Sequence, residues 1–172
     1  MNVRVLSVIS NYEVLGDLTR KFNIPFHYLP HADRSREAHE AEALAVLAQY
    51  QPDFVLLAKY MRILTSNFMP HYSNRLINIH HSFLPAFVGA SPYAQAYARG
   101  VKIIGATAHF VNEQLDQSPI IAQNVIPIDH TQSAHEMAQA GRDVEKIVLA
   151  RSLRMVFDEQ VFVHGNKTVI FD

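Results

Sequence analysis

The sequence predicts one α/β domain folded as a three-layer, doubly wound, mostly parallel sheet. Two observations carry that expectation. Short β-branched apolar runs alternate with segments of helical period, and the runs at 53–58 and 76–79 are apolar without interruption, as in strands covered on both faces. Size agrees: 172 residues, 49% of them hydrophobic, are enough to bury the core of one domain. There is no internal repeat, low-complexity tract or linker to divide residues 1–172.

Residues 3–9 form the first strand and stop at Ser10-Asn11. Asn11 is placed to cap a helix on which Val14, Leu15, Leu18 and Phe22 recur at helical spacing. A short second strand covers 24–29. The Ala- and Glu-rich segment 35–50, with Leu44, Leu47 and Ala48 on one face, is a helix that ends at Gln51-Pro52. Strands at 53–58 (DFVLLA) and 76–79 (LINI) follow, with a short helix between them. Residues 103–111 and 120–128 are β-rich segments joined by the polar stretch 112–118, and antiparallel pairing is expected in this half. Ser133-Ala134-His135-Glu136 fits a capping box, and Met137, Gly141, Val144, Val148, Leu153 and Phe157 make a long amphipathic helix that runs to Asp158. A last β pair, 161–163 and 168–171, flanks the turn His164-Gly165-Asn166.

Composition narrows the function. Fifteen Lys and Arg against 16 Asp and Glu leave a formal charge of -1, which offers no field to hold nucleic acid or an anionic membrane. The absence of Cys excludes thiolate chemistry and Cys-based metal sites and suits a reducing cytoplasm. The longest stretch without Asp, Glu, Lys or Arg, 76–98, contains Asn78, His80, His81, Pro85 and Pro92, so it is no membrane helix. The first residues lack the features of a secretory signal, and the protein reads as cytoplasmic. No Gly-x-Gly-x-x-Gly, P-loop or Gly-x-Ser-x-Gly is present, which argues against dinucleotide, nucleotide triphosphate and α/β-hydrolase chemistry.

Ligands of open α/β sheets sit beyond the carboxyl ends of the strands, and the segment 77–82 places polar residues there. Strand alternation sends Asn78 and His80 to one face and Ile79 and His81 to the other, so an amide donor and an imidazole can converge on one ligand. Taken alone, an Asn-x-His more often caps a strand end. Asp116, set among apolar neighbours, has the makings of a general base for water, although a turn Asp commonly bonds its own backbone. His109 either points into the same cleft or is a satisfied core histidine. The segment 59–64 suits the wall of a flat heterocycle, or else starts a helix with Met61 and Leu64 in the core. His80, His81 and His109 form a conceivable metal set, but adjacent His on a strand point apart and no diagnostic metal spacing occurs.

AKYMRIL (58–64), INIHHSFLPAF (77–87), GVKIIGATAHFV (100–111), LDQSPIIAQ (115–123) and AGRDVEK (140–146) together resemble the formyltransferase-type catalytic domain of the formyltetrahydrofolate deformylase family. The likeness runs from about residue 5 to residue 171. The Asn-x-His and Asp set is shared with the wider folate-dependent formyltransferases, while His-His-Ser and AGRDVEK point to the deformylase branch. The resemblance implies a Rossmann-like formyltransferase fold and hydrolysis of 10-formyltetrahydrofolate to tetrahydrofolate and formate, a step of one-carbon and purine metabolism. It implies Asn78, His80 and Asp116 as the catalytic trio: Asn78 and His80 for the oxyanion, Asp116 for the attacking water or the proton sent to the departing nitrogen. His109 matches a supporting position near the oxyanion and Ser82 a polar wall residue. Met61, Arg62, Ile63 and Leu64, with Val111, Leu115 and the loop they border, match the segments that enclose the pterin. The folate is the substrate, so no metal or separate cofactor is expected, and a homo-oligomer is.

Three positions depart from the family pattern. Ser91 and Ala94 stand where a basic residue and a His are usual, and Ser118 stands where Gly is usual; a positive φ there would strain the loop. The family also has a strand and an active-site loop before the segment equivalent to 3–11, and deformylases an ACT-type sensing domain. Against that pattern the chain is expected to be an N-terminally truncated catalytic domain. The alternatives are formyl transfer to an amine and a catalytically silent folate- or partner-binding domain.

Overall fold

A computed structural model describes residues 3–60, 62–86, 91–112 and 118–171. The chain divides into two compact units, Asn2–Val55 with Ile63–Ser73, and Leu56–Arg62 with Asn74–Asp172.

The first unit holds strand β1 (Val8–Ser10), a 3-10 turn (Glu13–Leu15), helix α1 (Gly16–Lys21), strand β2 (Phe26–Tyr28), helix α2 (Arg36–Tyr50) and a second 3-10 turn (Met69–Tyr72). β1 and β2 pair in parallel, Val8 opposite Phe26 and Ser10 opposite Tyr28, as a strand-helix-strand unit requires. Three expectations need correction. The helical spacing of Val14, Leu15, Leu18 and Phe22 marks the helical segment, yet all four side chains are exposed, and the buried residues of α1 are Gly16 and Thr19. Asn11 does not cap; its amide bonds His31 Nδ1 at 2.8 Å, and Leu15 takes the N-cap position. In α2, capped by the Ser35 hydroxyl, the buried face is His39, Glu40, Val46 and Leu47; Leu44 is half-buried and Ala48 exposed.

The second unit carries a four-stranded sheet in the order β3 (Val55–Ala58), β4 (Leu76–His80), β5 (Ile103–Phe110), β6 (Ile120–Pro127). The β4–β5 and β5–β6 ladders are antiparallel, as the β-rich second half leads one to expect. β3 is apolar throughout but not covered on both faces: its side chains alternate half-buried and exposed, and Leu56 is 42% exposed. Helix α4 (Ala134–Phe157) starts at the full Ser133/Glu136 capping box and lies across the sheet. Its Val144 and Val148 pack with Ile79, Ala106, Ala108 and Ala122, and burying each such Val or Ile is worth roughly 1.5–3 kcal/mol. The buried row continues through Ser152 and Val156 rather than the expected Leu153 and Phe157, which are half-buried. The hairpin β7 (Val161–His164) and β8 (Lys167–Ile170) closes the chain.

Helix α3 (Pro92–Arg99) is absent from the sequence expectation, although Pro92 at its first turn and Gly100 after it, at φ +63°, are ordinary start and stop signals. Ala96 and Met137 pack with Ile104 and Ile128, which joins α3 to α4 and the sheet. The mixed α/β architecture thus places the carboxyl end of β4 and the middle of β5 beside each other.

Candidate active site

β4 positions the first group. Leu76, Ile77 and Ile79 are buried, and Ile79 belongs to the core under α4, so Asn78 and His80 emerge on the opposite face. The antiparallel register sets Asn78 against His109 and His80 against Thr107. A β-bulge shifts the β5–β6 register between Ala108 and His109, at the point where the His109 side chain leaves the sheet.

Asn78 Nδ2 lies 3.2 Å from His109 Nε2, and His109 Nδ1 lies 3.0 Å from the carbonyl oxygen of Phe110. A carbonyl only accepts, so Nδ1 carries the proton and Nε2 of the neutral ring is an acceptor. The Asn78 amide must then present its N–H to the ring, which fixes the orientation of the amide. One Nδ2 hydrogen is used in this bond, and Asn78 Oδ1 is buried without a hydrogen-bond partner among the described residues. His109 is therefore a buried, hydrogen-bonded histidine that orients Asn78.

The loop after β4 is fastened by residues the sequence reading passed over. Thr107, fully buried, donates its hydroxyl to the Ser82 carbonyl at 2.9 Å and accepts from the Leu84 amide at 3.1 Å and from Gln123 Nε2 at 2.9 Å. Gln123 also donates to the Leu84 carbonyl at 3.1 Å. A lone Thr and a lone Gln inside two apolar strands are the signals that point to this clasp. Ser82, expected as a wall residue, is buried and donates its hydroxyl to the Ala86 carbonyl at 2.6 Å, so its side chain shapes the loop.

Val111 is half-buried and its amide bonds the Leu76 carbonyl at 2.9 Å, extending the β4–β5 ladder. Ser118 is not at positive φ; its hydroxyl donates to Asn112 Oδ1 at 3.1 Å and so ties together the described ends of the segment 112–118. The strain that a positive φ would impose there does not arise. Asp116 and Leu115 lie outside the described residues, as does Met61. Ser91 sits at φ +55° at the start of α3 without a side-chain capping bond, and Ala94 is exposed.

Arg62 is half-buried in the second unit. Ile63, 53% exposed, and Leu64, half-buried, belong to the first, where the segment is not helical. There the buried Glu40 carboxylate accepts from the Thr65 amide at 3.1 Å and from its hydroxyl, which anchors the residues just after Leu64. Among the described residues no three His, Asp or Glu side chains are grouped to hold a metal ion, and no helix is long and apolar enough to cross a membrane.

Comparison with known proteins supplies the context. The sequence profile of the family described as formyl transferase matches residues 1–153. The formyltetrahydrofolate deformylase of Haemophilus influenzae is 54% identical over 170 residues, covering 99% of this chain and 61% of that protein. The crystal structure of a formyltetrahydrofolate deformylase from Pseudomonas syringae superposes with a TM-score of 0.93 at 48% identity, over 98% of this chain and 56% of that one. Glycinamide ribonucleotide transformylase 1 from Symbiobacterium toebii superposes with a TM-score of 0.91 at 31% identity, over 98% and 81% of the two chains. The chain spans about three-fifths of the length of the curated deformylases it matches.

Proposed function

The chain belongs to the formyl transferase family, and from that premise we propose that it hydrolyses 10-formyltetrahydrofolate to tetrahydrofolate and formate. The observation that carries the proposal is the Asn78–His109 bond beside His80, at the carboxyl end of β4, in a chain 54% identical to curated formyltetrahydrofolate deformylases.

In this reading the formyl oxygen sits between the second Nδ2 hydrogen of Asn78 and the His80 ring. Both strengthen their hold as water adds to the carbon and the oxygen becomes an anion, so they lower the barrier rather than only bind. His109 keeps the Asn78 donor aimed without reorganisation during the reaction. Asp116 takes a proton from the attacking water, and a proton reaches the folate nitrogen as its bond to the formyl carbon breaks, leaving formate and tetrahydrofolate. Arg62 and Val111, which belong to the same unit as Asn78 and His80, border the pterin in this reading, and Ser82 holds the loop. The folate is the substrate, and every step uses side-chain donors, a carboxylate and water, so no separate cofactor or metal is invoked. The lack of Cys suits a cytoplasmic setting.

Hydrolysis is separated from formyl transfer by following formate release from 10-formyltetrahydrofolate with and without added primary amines. Formate release at the same rate in both supports hydrolysis. Formylated amine formed in place of formate makes the chain a transferase, and folate binding without either product makes it a silent binding domain.

A further inference from the structure

The segments His-His-Ser and AGRDVEK are about 60 residues apart in the chain and meet in the fold. Glu145, on α4, directs its carboxylate toward the loop after β4. Oε1 accepts from the Tyr93 hydroxyl at 2.7 Å, and Oε2 lies 4.0 Å from His81 Nδ1. The His81 and Glu145 side chains are only 15% and 12% exposed, so this charge is held largely out of water. The His81 ring in turn stacks on His80, centroids 5.7 Å apart and planes within 10°, and lies 6.4 Å from the Tyr93 ring.

Gly141, one turn before Glu145, completes the arrangement. A Cβ there would lie 2.1 Å from the Tyr93 hydroxyl oxygen, so only Gly leaves the slot in which Tyr93 lies against α4. Burial of the Tyr93 hydroxyl, and then its bond to Glu145, push its pKa upward, which keeps it a donor to the carboxylate. A charge held largely out of water is weak evidence of a stabilising role.

Resting on the reading of the activity given above, we infer that Glu145 is a positioning residue for His80, acting through Tyr93 and the stacked ring of His81. The carboxylate holds Tyr93 on one side and faces His81 on the other; His81, so held, limits the rotation of the His80 ring that faces the formyl oxygen. β4 provides one wall for His80 and the α4 carboxylate, through His81, provides the other. A single helix face thereby reaches the reacting group without touching substrate.

Glu145→Gln tests this, because it keeps the volume and an acceptor for Tyr93 while removing the charge; Tyr93→Phe is the second variant, keeping the charge and removing one bond. In both we expect kcat for formate release to fall about tenfold with KM within about twofold of the parent. Nitrogen-15 and proton spectra of the histidine rings are expected to show the His80 signals displaced together with those of His81, at a thermal midpoint close to the parent. Unchanged His80 signals and kcat in both variants, or a loss of activity that only follows a loss of folded protein, would overturn the inference. If the parent chain releases no formate, the activity reading fails on its own, and the His80 ring signals decide the positioning role by themselves.

Discussion

Asn78 and His109 face each other across the β4–β5 ladder, the amide nitrogen of one 3.2 Å from Nε2 of the other. With Nδ1 committed to the Phe110 carbonyl, the ring accepts from Asn78 and fixes which end of the amide meets a ligand. His109→Ala frees that amide to rotate, and kcat for formate release is expected to fall about tenfold with little change in KM. His109→Gln, whose carbonyl also accepts, is expected to recover part of the loss. Steady-state kinetics of the two variants check this; equal losses in both would show that the acceptor is not what matters.

The Thr107 hydroxyl serves three partners in a fully buried place. Thr107→Val keeps the shape and leaves the Leu84 amide and the Ser82 carbonyl without it. The expected cost is about 1–3 kcal/mol, the desolvation penalty of buried groups left unpaired, read by urea denaturation. A change below about 0.5 kcal/mol, the ordinary scatter of neutral substitutions, would mean the loop is held by other contacts.

Gly141→Ala places a methyl group in the Tyr93 ring. Overpacking of this kind costs about 1–3 kcal/mol, against which the better helix propensity of Ala returns at most ~1 kcal/mol. The substitution is expected to destabilise the chain by thermal and urea denaturation. Combined with Tyr93→Ala the clash disappears, so the cost of the pair should fall below the sum of the single costs.

The capping box gives stability a pH dependence with a definite sign. Backbone and side-chain bonds from Ser133 hold the Glu136 carboxyl below its ordinary value. A depressed folded-state pKa contributes stability that is fully present above the unfolded value and is lost as pH falls through the folded one. The thermal midpoint is therefore expected to decline on acidification, with a component that Glu136→Gln or Ser133→Ala removes. Identical acid profiles for the parent and Glu136→Gln would show that the box contributes nothing measurable.

Much of this fold is written in local pattern. The Ser133/Glu136 box begins α4 where the sequence places it, and the alternation along β4 sends Ile79 to the α4 core and Asn78 and His80 to the other face; His81, just past the end of β4, departs from that alternation and stacks on His80. What local pattern misses has physical causes. The buried row of α4 passes from Leu153 to Ser152 because four-residue steps continue from Val144 through Val148 and Ser152 to Val156, whereas the expected row takes a five-residue step to Leu153 that a helix of 3.6 residues per turn carries off the buried face. α3 is short enough that its Pro92 and Gly100 signals read as loop. The Asn78–His109 bond joins residues 31 apart and depends on strand register and a bulge, neither of which is visible before the strands are paired. The resemblance supplied the order of the site residues, while the partners that hold them, Thr107, Gln123, Tyr93 and Glu145, came from the fold.

In the proposed reaction Asn78, His80 and Asp116 turn over a formylated folate with water. Formate release from 10-formyltetrahydrofolate by the parent chain, by Asn78→Ala and by Asp116→Asn tests it most directly. Release by the parent is expected, with a loss of roughly 10²–10³-fold in kcat when the Asn78 donor is removed, the scale of one oxyanion donor. A loss of at least about 10²-fold is predicted for Asp116→Asn, the scale of a positioned general base. Turnover in either variant equal to that of the parent would contradict it.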